Sequence, residues 1–286
     1  MSHPAHDALA ARITALAATP AGTPLADDAE AVVAELLDRL ERGEIRAARR
    51  DDAGRWQAVP WVKQGILVAF RAGRVVTLHP TEGGAFTFFD KHTLPTRRLT
   101  LDDGVRVVPG GSSIRRGAYV APGVVCMPPM YINVGAHIGT GTMVDSHALI
   151  GSCAQVGERV HVSAAAQVGG VLEPVNAAPV VIEDEVIVGG NCGVYEGTVV
   201  RARAVLAAGV VLTRGTPVYD LVRETVYRGS GDAPLEIPAG AVVVPGARAV
   251  REGWGASLAL SLQTPIIVKY RDDKTDLATT LEGWLR

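Results

Sequence analysis

Residues 132–168 read INVGAH IGTGTM VDSHAL IGSCAQ VGERVH VSAAAQ V, a run of hexapeptides that each open on an aliphatic residue. The openers are Ile132, Ile138, Val144, Ile150, Val156, Val162 and Val168, and after a break the step resumes with Ile182, Val188, Val194, Val200, Leu206 and Leu212. The residue after the opener is usually small, as at Gly139, Gly151, Gly157, Ser163, Gly169, Gly189 and Ala207. A period of six fits neither an amphipathic helix nor the alternation of a hairpin. It fits a triangular coil with one hexapeptide per face and about three faces per turn. The aliphatic residue fills the prism. The small residue after it lets the chain turn the corner without crowding the next coil. Stacked coils then pair as parallel strands about 4.8 Å apart.

Working outward, the expected fold class is mainly β: a left-handed parallel β-helix (hexapeptide-repeat solenoid) with a helical α/β N-terminal domain and a small C-terminal extension. The expected boundaries are 1–105, 106–250 and 251–286. The break at 169–181 contains Glu173-Pro174-Val175-Asn176 and Pro179, which end strands, so it reads as a loop leaving the prism. Upstream, Asp27 or Asp28 can cap a helix with the apolar face Val32, Val33, Leu36, Leu37 and Leu40, stopped at Gly43. Leu9, Ile13 and Leu16 also fall at helical spacing. The segment 44–50 is basic, and Trp56 to Phe70 suggests a small α/β unit, with Phe88 to Lys91 a strand end or turn. This domain is expected to pack on the solenoid and cap its end. Past Leu212 the repeat decays into a hairpin or extended excursion over 213–236. Ile237 and Val243 look like a last coil, 257–271 like closing strands, and Asp276–Arg286 like a short helix.

The composition suits thin β layers: 286 residues, 48% hydrophobic, only 5% aromatic, with 32 Gly. A net charge of −2 gives no reason to expect nucleic acid, and no run of 18 apolar residues implies a membrane span. Cys126, Cys153 and Cys192 are odd in number and without CxxC spacing, the pattern of reduced thiols in a cytoplasmic protein; each reads as a small buried hydrophobe.

More specific runs accompany the repeat: Gly141-Thr142-Met143-Val144-Asp145, Ile150 to Gly157, His161-Val162-Ser163, Gly169-Gly170-Val171-Leu172-Glu173-Pro174 and Ile182-Glu183-Asp184. With Trp61-Val62-Lys63-Gln64, Phe89-Asp90-Lys91, Arg106-Val107-Val108-Pro109 and Tyr131 to Gly135, they resemble the tetrahydrodipicolinate N-succinyltransferases over nearly the whole chain. The resemblance implies a homotrimer with sites in clefts between neighbouring solenoids. It implies succinyl-CoA as donor, the amino group of L-2-amino-6-oxopimelate (ring-opened tetrahydrodipicolinate) as acceptor, and no metal.

Acyl transfer to an amine needs a proton acceptor, donors for the tetrahedral oxyanion, and cations or dipoles to hold a dicarboxylate. Asp145 follows the inward Val144 at a position usually held by a small residue. From the repeat alone it reads equally as a solvated corner carboxylate or a catalytic one; the resemblance implies the family's catalytic aspartate. Arg106 matches the family's substrate-binding arginine. Asn133 and Ser163 are further polar contacts for substrate, and His161 is an alternative base. The separations between His137, His147 and His161 do not reproduce a zinc pair. Coenzyme A is expected along the later coils, with its amides near Gly190, Ala207 and Ala208, where small side chains allow close approach, and its phosphates near Lys269, Arg248 or Arg251.

One position departs from the family. The second catalytic acid, a glutamate, falls on Gly193, and Glu196 matches a later glutamate that looks structural. Two rival readings therefore stand beside the main one: an acetyl-CoA-dependent N-acetyltransferase on the same or a related amine, and a non-catalytic hexapeptide scaffold subunit.

Overall fold

The computed structural model describes residues 4–78, 87–231 and 233–272. Within the repeat, the chain forms two-residue strands, each pairing in parallel with the strand three hexapeptides on. His137 pairs with Gln155, Met143 with His161 and Leu149 with Gln167. Three parallel ladders result. The first face runs from Tyr119–Val120 through His137–Ile138, Gln155–Val156, Val181–Ile182 and Val199–Val200 to Glu236–Ile237. The second runs from Arg106–Val107 through Val125–Cys126, Met143–Val144, His161–Val162, Ile187–Val188 and Val205–Leu206 to Ala241–Ala249. The third runs from Ser113–Ile114 through Tyr131–Ile132, Leu149–Ile150, Gln167–Val168 and Gly193–Val194 to Val211–Leu212.

All thirteen hexapeptide openers are 0% exposed and lie in one continuous core. The corner is divided differently from the expectation. The residue after the opener does not make the turn; the one two places later does, in the left-handed region, at Gly135, Gly141, His147, Cys153, Arg159 and Ala165 among others. Smallness just after the opener instead serves coil-to-coil contact. A Cβ at Gly139 would lie 2.5 Å from the Gly157 backbone, and one at Gly189 2.6 Å from the Leu206 carbonyl.

The N-terminal region has three helices, Pro4–Ala17, Ala29–Glu41 and Pro60–Ala72, and two antiparallel strand pairs. Asp28 stands at the start of the second helix but makes no side-chain cap; its carboxylate pairs with Arg12 at 3.0 Å. Phe88–Lys91 is a full strand beside Val75–Leu78. The region lies along the flank of the prism rather than capping its end. Its core takes in Val134 and Cys153 at the corner between the third and first faces. Polar ties reach from Glu41 and Gly117 (2.8 Å) to Trp56 and Glu183 (3.0 Å). Lys63, fully buried, donates to the carbonyls of Ala177 (2.6 Å) and Pro174 (3.4 Å), fastening the inserted loop to the third helix.

The excursion contains the hairpin Val218–Asp220 with Thr225–Tyr227. Ile237 and Val243 resume the coil, pairing with Val200 and Leu206. Ala241–Ala249 and Ser261–Tyr270 then form a long antiparallel pair. The helix expected over Asp276–Arg286 lies outside the described residues.

Candidate functional site

The register places several of the singled-out residues on one edge. Strand partners Val144, Val162, Val188 and Leu206 carry Asp145, Ser163, Gly189 and Ala207 next in the chain, so these four stack along the corner between the second and third faces. Their N–H groups are all spent on the coil above: Asp145 to Val162 (2.9 Å), Ser163 to Val188 (2.9 Å), Gly189 to Leu206 (2.8 Å) and Ala207 to Val243 (2.8 Å). One residue further, the N–H groups of Gly190 and Ala208 have no protein acceptor among the described residues. The edge thus offers donors at a regular spacing beside small side chains.

Asp145 is partly exposed. Its Oδ1 accepts the Ser146 N–H at 2.6 Å, and its Oδ2 lies 3.9 Å from His161 Nε2. A one-coil offset on the same face makes this pairing, because Met143 is the strand partner of His161. A carboxylate beside an imidazole is a proton-handling arrangement. The sequence suggested both residues; that they meet follows from the three-hexapeptide stagger.

Arg106 opens the second face, in the outward column that continues through Val125 and Met143 to His161. It is exposed, and among the described residues no carboxylate pairs with it. Two strand spacings, about 10 Å, separate its strand from that of Met143 and Val144. Lys269 lies at the other end of the same face, opposite Val242, with Nζ 3.3 Å from Asp272. Asn133 is not on this edge. It follows Ile132 at the corner between the third and first faces, and its Oδ1 takes the N–H of Val134 (2.8 Å) and the hydroxyl of Tyr131 (3.4 Å).

At Gly193 a neighbouring aromatic side chain fills the space in front of the backbone. Gly193 stands outward on the third face between Gln167 and Val211, and the Tyr195 ring lies over it. A Cβ built at Gly193 would sit 2.4 Å from Tyr195 Cε2 and 2.9 Å from its Oη. The phenol donates to Gln167 Oε1 at 3.3 Å. No sequence signal marked Tyr195, because the contact folds the chain back across two residues. Glu196 accepts the Arg214 N–H at 3.0 Å, a backbone-holding role. The three cysteines are buried and free, and burial pushes the Cys126 and Cys153 thiols up to about 12, away from nucleophilic use. Among the described residues no group of three His, Cys, Asp or Glu could hold a metal, and no helix is long and apolar enough to cross a membrane.

Comparison with known proteins agrees with this architecture. Residues 11–72 match the family described as tetrahydrodipicolinate N-succinyltransferase N-terminal, and residues 179–214 match the hexapeptide repeat of succinyl-transferase. The 2,3,4,5-tetrahydropyridine-2,6-dicarboxylate N-succinyltransferase of Polynucleobacter asymbioticus is 39% identical over 91% of this chain and 90% of its own length. That of Paramagnetospirillum magneticum is 39% identical over 87% of each. A Campylobacter jejuni structure, provisionally named a 2,3,4,5-tetrahydropyridine-2-carboxylate N-succinyltransferase, superposes with a TM-score of 0.50 at 18% identity. It covers 85% of this chain and 63% of that one, and speaks for the fold alone. Shared identity at this level along nine-tenths of the sequence, in a chain whose hexapeptides stack into three parallel ladders, makes this protein a member of the tetrahydrodipicolinate N-succinyltransferase family.

Proposed function

We propose that the chain is a coenzyme A-dependent N-acyltransferase. It transfers succinyl from succinyl-CoA to the amino group of tetrahydrodipicolinate, in the form of L-2-amino-6-oxopimelate, within diaminopimelate and lysine biosynthesis. The observation that carries the reading is the edge itself. The Asp145–His161 pair stands on the same face as an unpaired Arg106 and on the same corner as the open N–H groups of Gly190 and Ala208. Around it we propose the finer assignments: a left-handed solenoid, divided at 105 and 250 from its flanking regions, working as a cytoplasmic homotrimer.

The chemistry follows from these positions. The acceptor's amine attacks the thioester carbonyl, a C–N bond forms, the C–S bond breaks, and the amine proton must leave. His161 receives that proton, with the Asp145 carboxylate stabilising the imidazolium, and returns it to the departing thiolate, so that coenzyme A leaves as the free thiol. Arg106 takes a substrate carboxylate through its forked guanidinium. Asn133 and Ser163 remain polar contacts for substrate, Asn133 from its separate edge. The pantetheine amides lie along Gly190, Ala207 and Ala208, where no large side chain intervenes, and Lys269 faces the nucleotide end.

Gly193 favours a second reading, with acetyl-CoA as donor, since the carboxylate of the family pattern is absent and Tyr195 occupies its space. Thiol release with purified protein and tetrahydrodipicolinate separates the two. Succinyl-specific turnover lost in Asp145→Ala supports the main reading; preference for acetyl-CoA transfers the assignment to the acetyl donor.

A further inference from the structure

A cleft of about 870 Å³ opens between residues 43–61 and the outer side of the first face. It lies on a different side of the prism from the Asp145 edge. Tyr119, His137 and Gln155, consecutive rungs of one ladder, form its floor, and Arg46, Arg49 and Trp56 belong to its wall.

Five acids (Asp7, Glu44, Glu158, Glu183 and Asp184) and three arginines (Arg46, Arg49 and Arg50) line this cleft, and their pairing is uneven. Several of the acids already have cationic partners: Glu183 has Arg50 (2.7 Å) and Arg201 (2.9 Å) with the Trp56 indole (3.0 Å), Glu158 has Arg159 (2.9 Å), and Glu44 has Arg42. Asp184 accepts the Glu158 N–H at 2.8 Å. Arg46 has only a neutral partner, donating through Nε to Gln155 Oε1 at 2.9 Å, and among the described residues neither Arg46 nor Arg49 pairs with a carboxylate. Arg46 is half-buried, and that burial pulls its pKa below the ordinary value, with Asp184 opposing from a distance. Beside it, His137 stacks on Tyr119 with ring centroids 4.4 Å apart, and its buried Nδ1 has no hydrogen-bond partner. A desolvated cation with no carboxylate in contact and a buried polar nitrogen without partner each cost free energy. Here both adjoin one cavity roomy enough for a small molecule.

We propose that this cleft is a binding site for a small oxyanion, a carboxylate or phosphate group, received by the guanidinium groups of Arg46 and Arg49 beside the His137–Tyr119 stack. Two forked donors suit two-oxygen acceptors. Trp56, with Arg46 and Arg50 at 5.6 Å and 5.1 Å from its ring centre, holds the basic segment over the face. Asp145 has no part in the site, so the proposal stands apart from the acyl-transfer reading.

Calorimetric titration of the intact protein tests it, with sodium phosphate in one arm and sodium acetate in the other; the tighter anion identifies the source. The expected result is saturable binding of one anion per chain, about tenfold weaker in Arg49→Ala and in Arg46→Gln, and unchanged in Asp145→Asn. Arg49→Ala is the deciding variant, because Arg49 is exposed and has no protein partner to lose. Absence of saturation by either anion in the millimolar range overturns the proposal. So does binding that both arginine variants leave intact, or that Asp145→Asn abolishes.

Discussion

Gly193→Glu restores the carboxylate of the family pattern, and the structure gives a reason why it should fail on its own. The new Cβ would fall 2.4 Å from Tyr195 Cε2, closer than any side chain tolerates, and the Oη is only 2.9 Å away. The phenol must therefore leave. Its bond to Gln167 at 3.3 Å, worth about 1 kcal/mol, is lost, and the strained rotamer adds about 0.5–1.5 kcal/mol. The ring is only half-buried and can swing outward, which keeps the total near 1–3 kcal/mol rather than the larger cost of an overpacked core. For a chain of this size each kcal/mol moves Tm by about 2–4 °C. Tyr195→Val clears the space, so the same glutamate should cost well under 1 kcal/mol in that background. Urea unfolding of the four proteins of the cycle then yields a coupling energy of about 1–2 kcal/mol. Equal destabilisation by Gly193→Glu with and without the ring, or none in either case, refutes the placement of Tyr195 over Gly193.

Asp145→Asn should lower kcat by about 10²–10⁴ while leaving unfolding transitions near those of the parent, since the amide oxygen can still accept the Ser146 N–H and what is lost is the negative charge beside His161; steady-state thiol release checks it. Lys63→Met should raise amide exchange across residues 170–178, because the carbonyls of Pro174 and Ala177 lose their donor. Net stability should move less, as a buried ammonium is removed at the same time. Burial and Arg46 push the His137 pKa down from 6.5 to about 3, so the unfolded chain binds a proton that the native chain refuses between those values. Stability should fall as pH drops through that window and level off below it. His137→Phe should flatten this limb in a urea titration from pH 7 to pH 4; an unchanged slope contradicts the assignment.

The prism was legible because its rule is local and repeated. One inward aliphatic residue per hexapeptide fixes face, core and register together, and each opener from Ile132 to Leu212 is fully buried. The corner chemistry was less legible. The left-handed residue two places past the small one includes Cys153, Arg159 and Ala165, types that advertise no turn; parallel pairing on both sides of each coil imposes that conformation. Packing of the N-terminal helices on the solenoid was expected, but the corner they dock on was hidden. The docking depends on Val134 and Cys153 presenting an apolar corner to Ile66 and Leu37, which no pattern inside the helices reveals. Among site residues, Asp145, Ser163, Gly190, Ala207 and Ala208 fall on one edge because they share a repeat position or its successor. Asn133 shares the position of Asp145 but belongs to a strand two-thirds of a turn earlier, which sends it to another edge.

Hydrogen-bond accounting explains why chemistry would gather at such an edge. In a stacked coil, most strand N–H groups are consumed by the neighbouring turn, and the openers are consumed by the core, so neither can touch a ligand. What remains available is the corner: the outward side chain just past the opener and the N–H after it. A small side chain there yields an accessible backbone donor, as at Gly190 and Ala208, and a polar one yields a side-chain group held by its neighbour, as at Asp145 with Ser146 N–H. The rigid rise of about 4.8 Å per coil then spaces these groups like marks on a ruler. Arg106, Asp145 and Gly190 sit at successive heights on it, a span suited to an acceptor with a carboxylate at one end and an acyl donor laid along the coils above. The same rigidity predicts that changes at the corner alter chemistry with little loss of fold, whereas filling Gly139 or Gly189, whose Cβ positions meet backbone, should unseat the coils themselves.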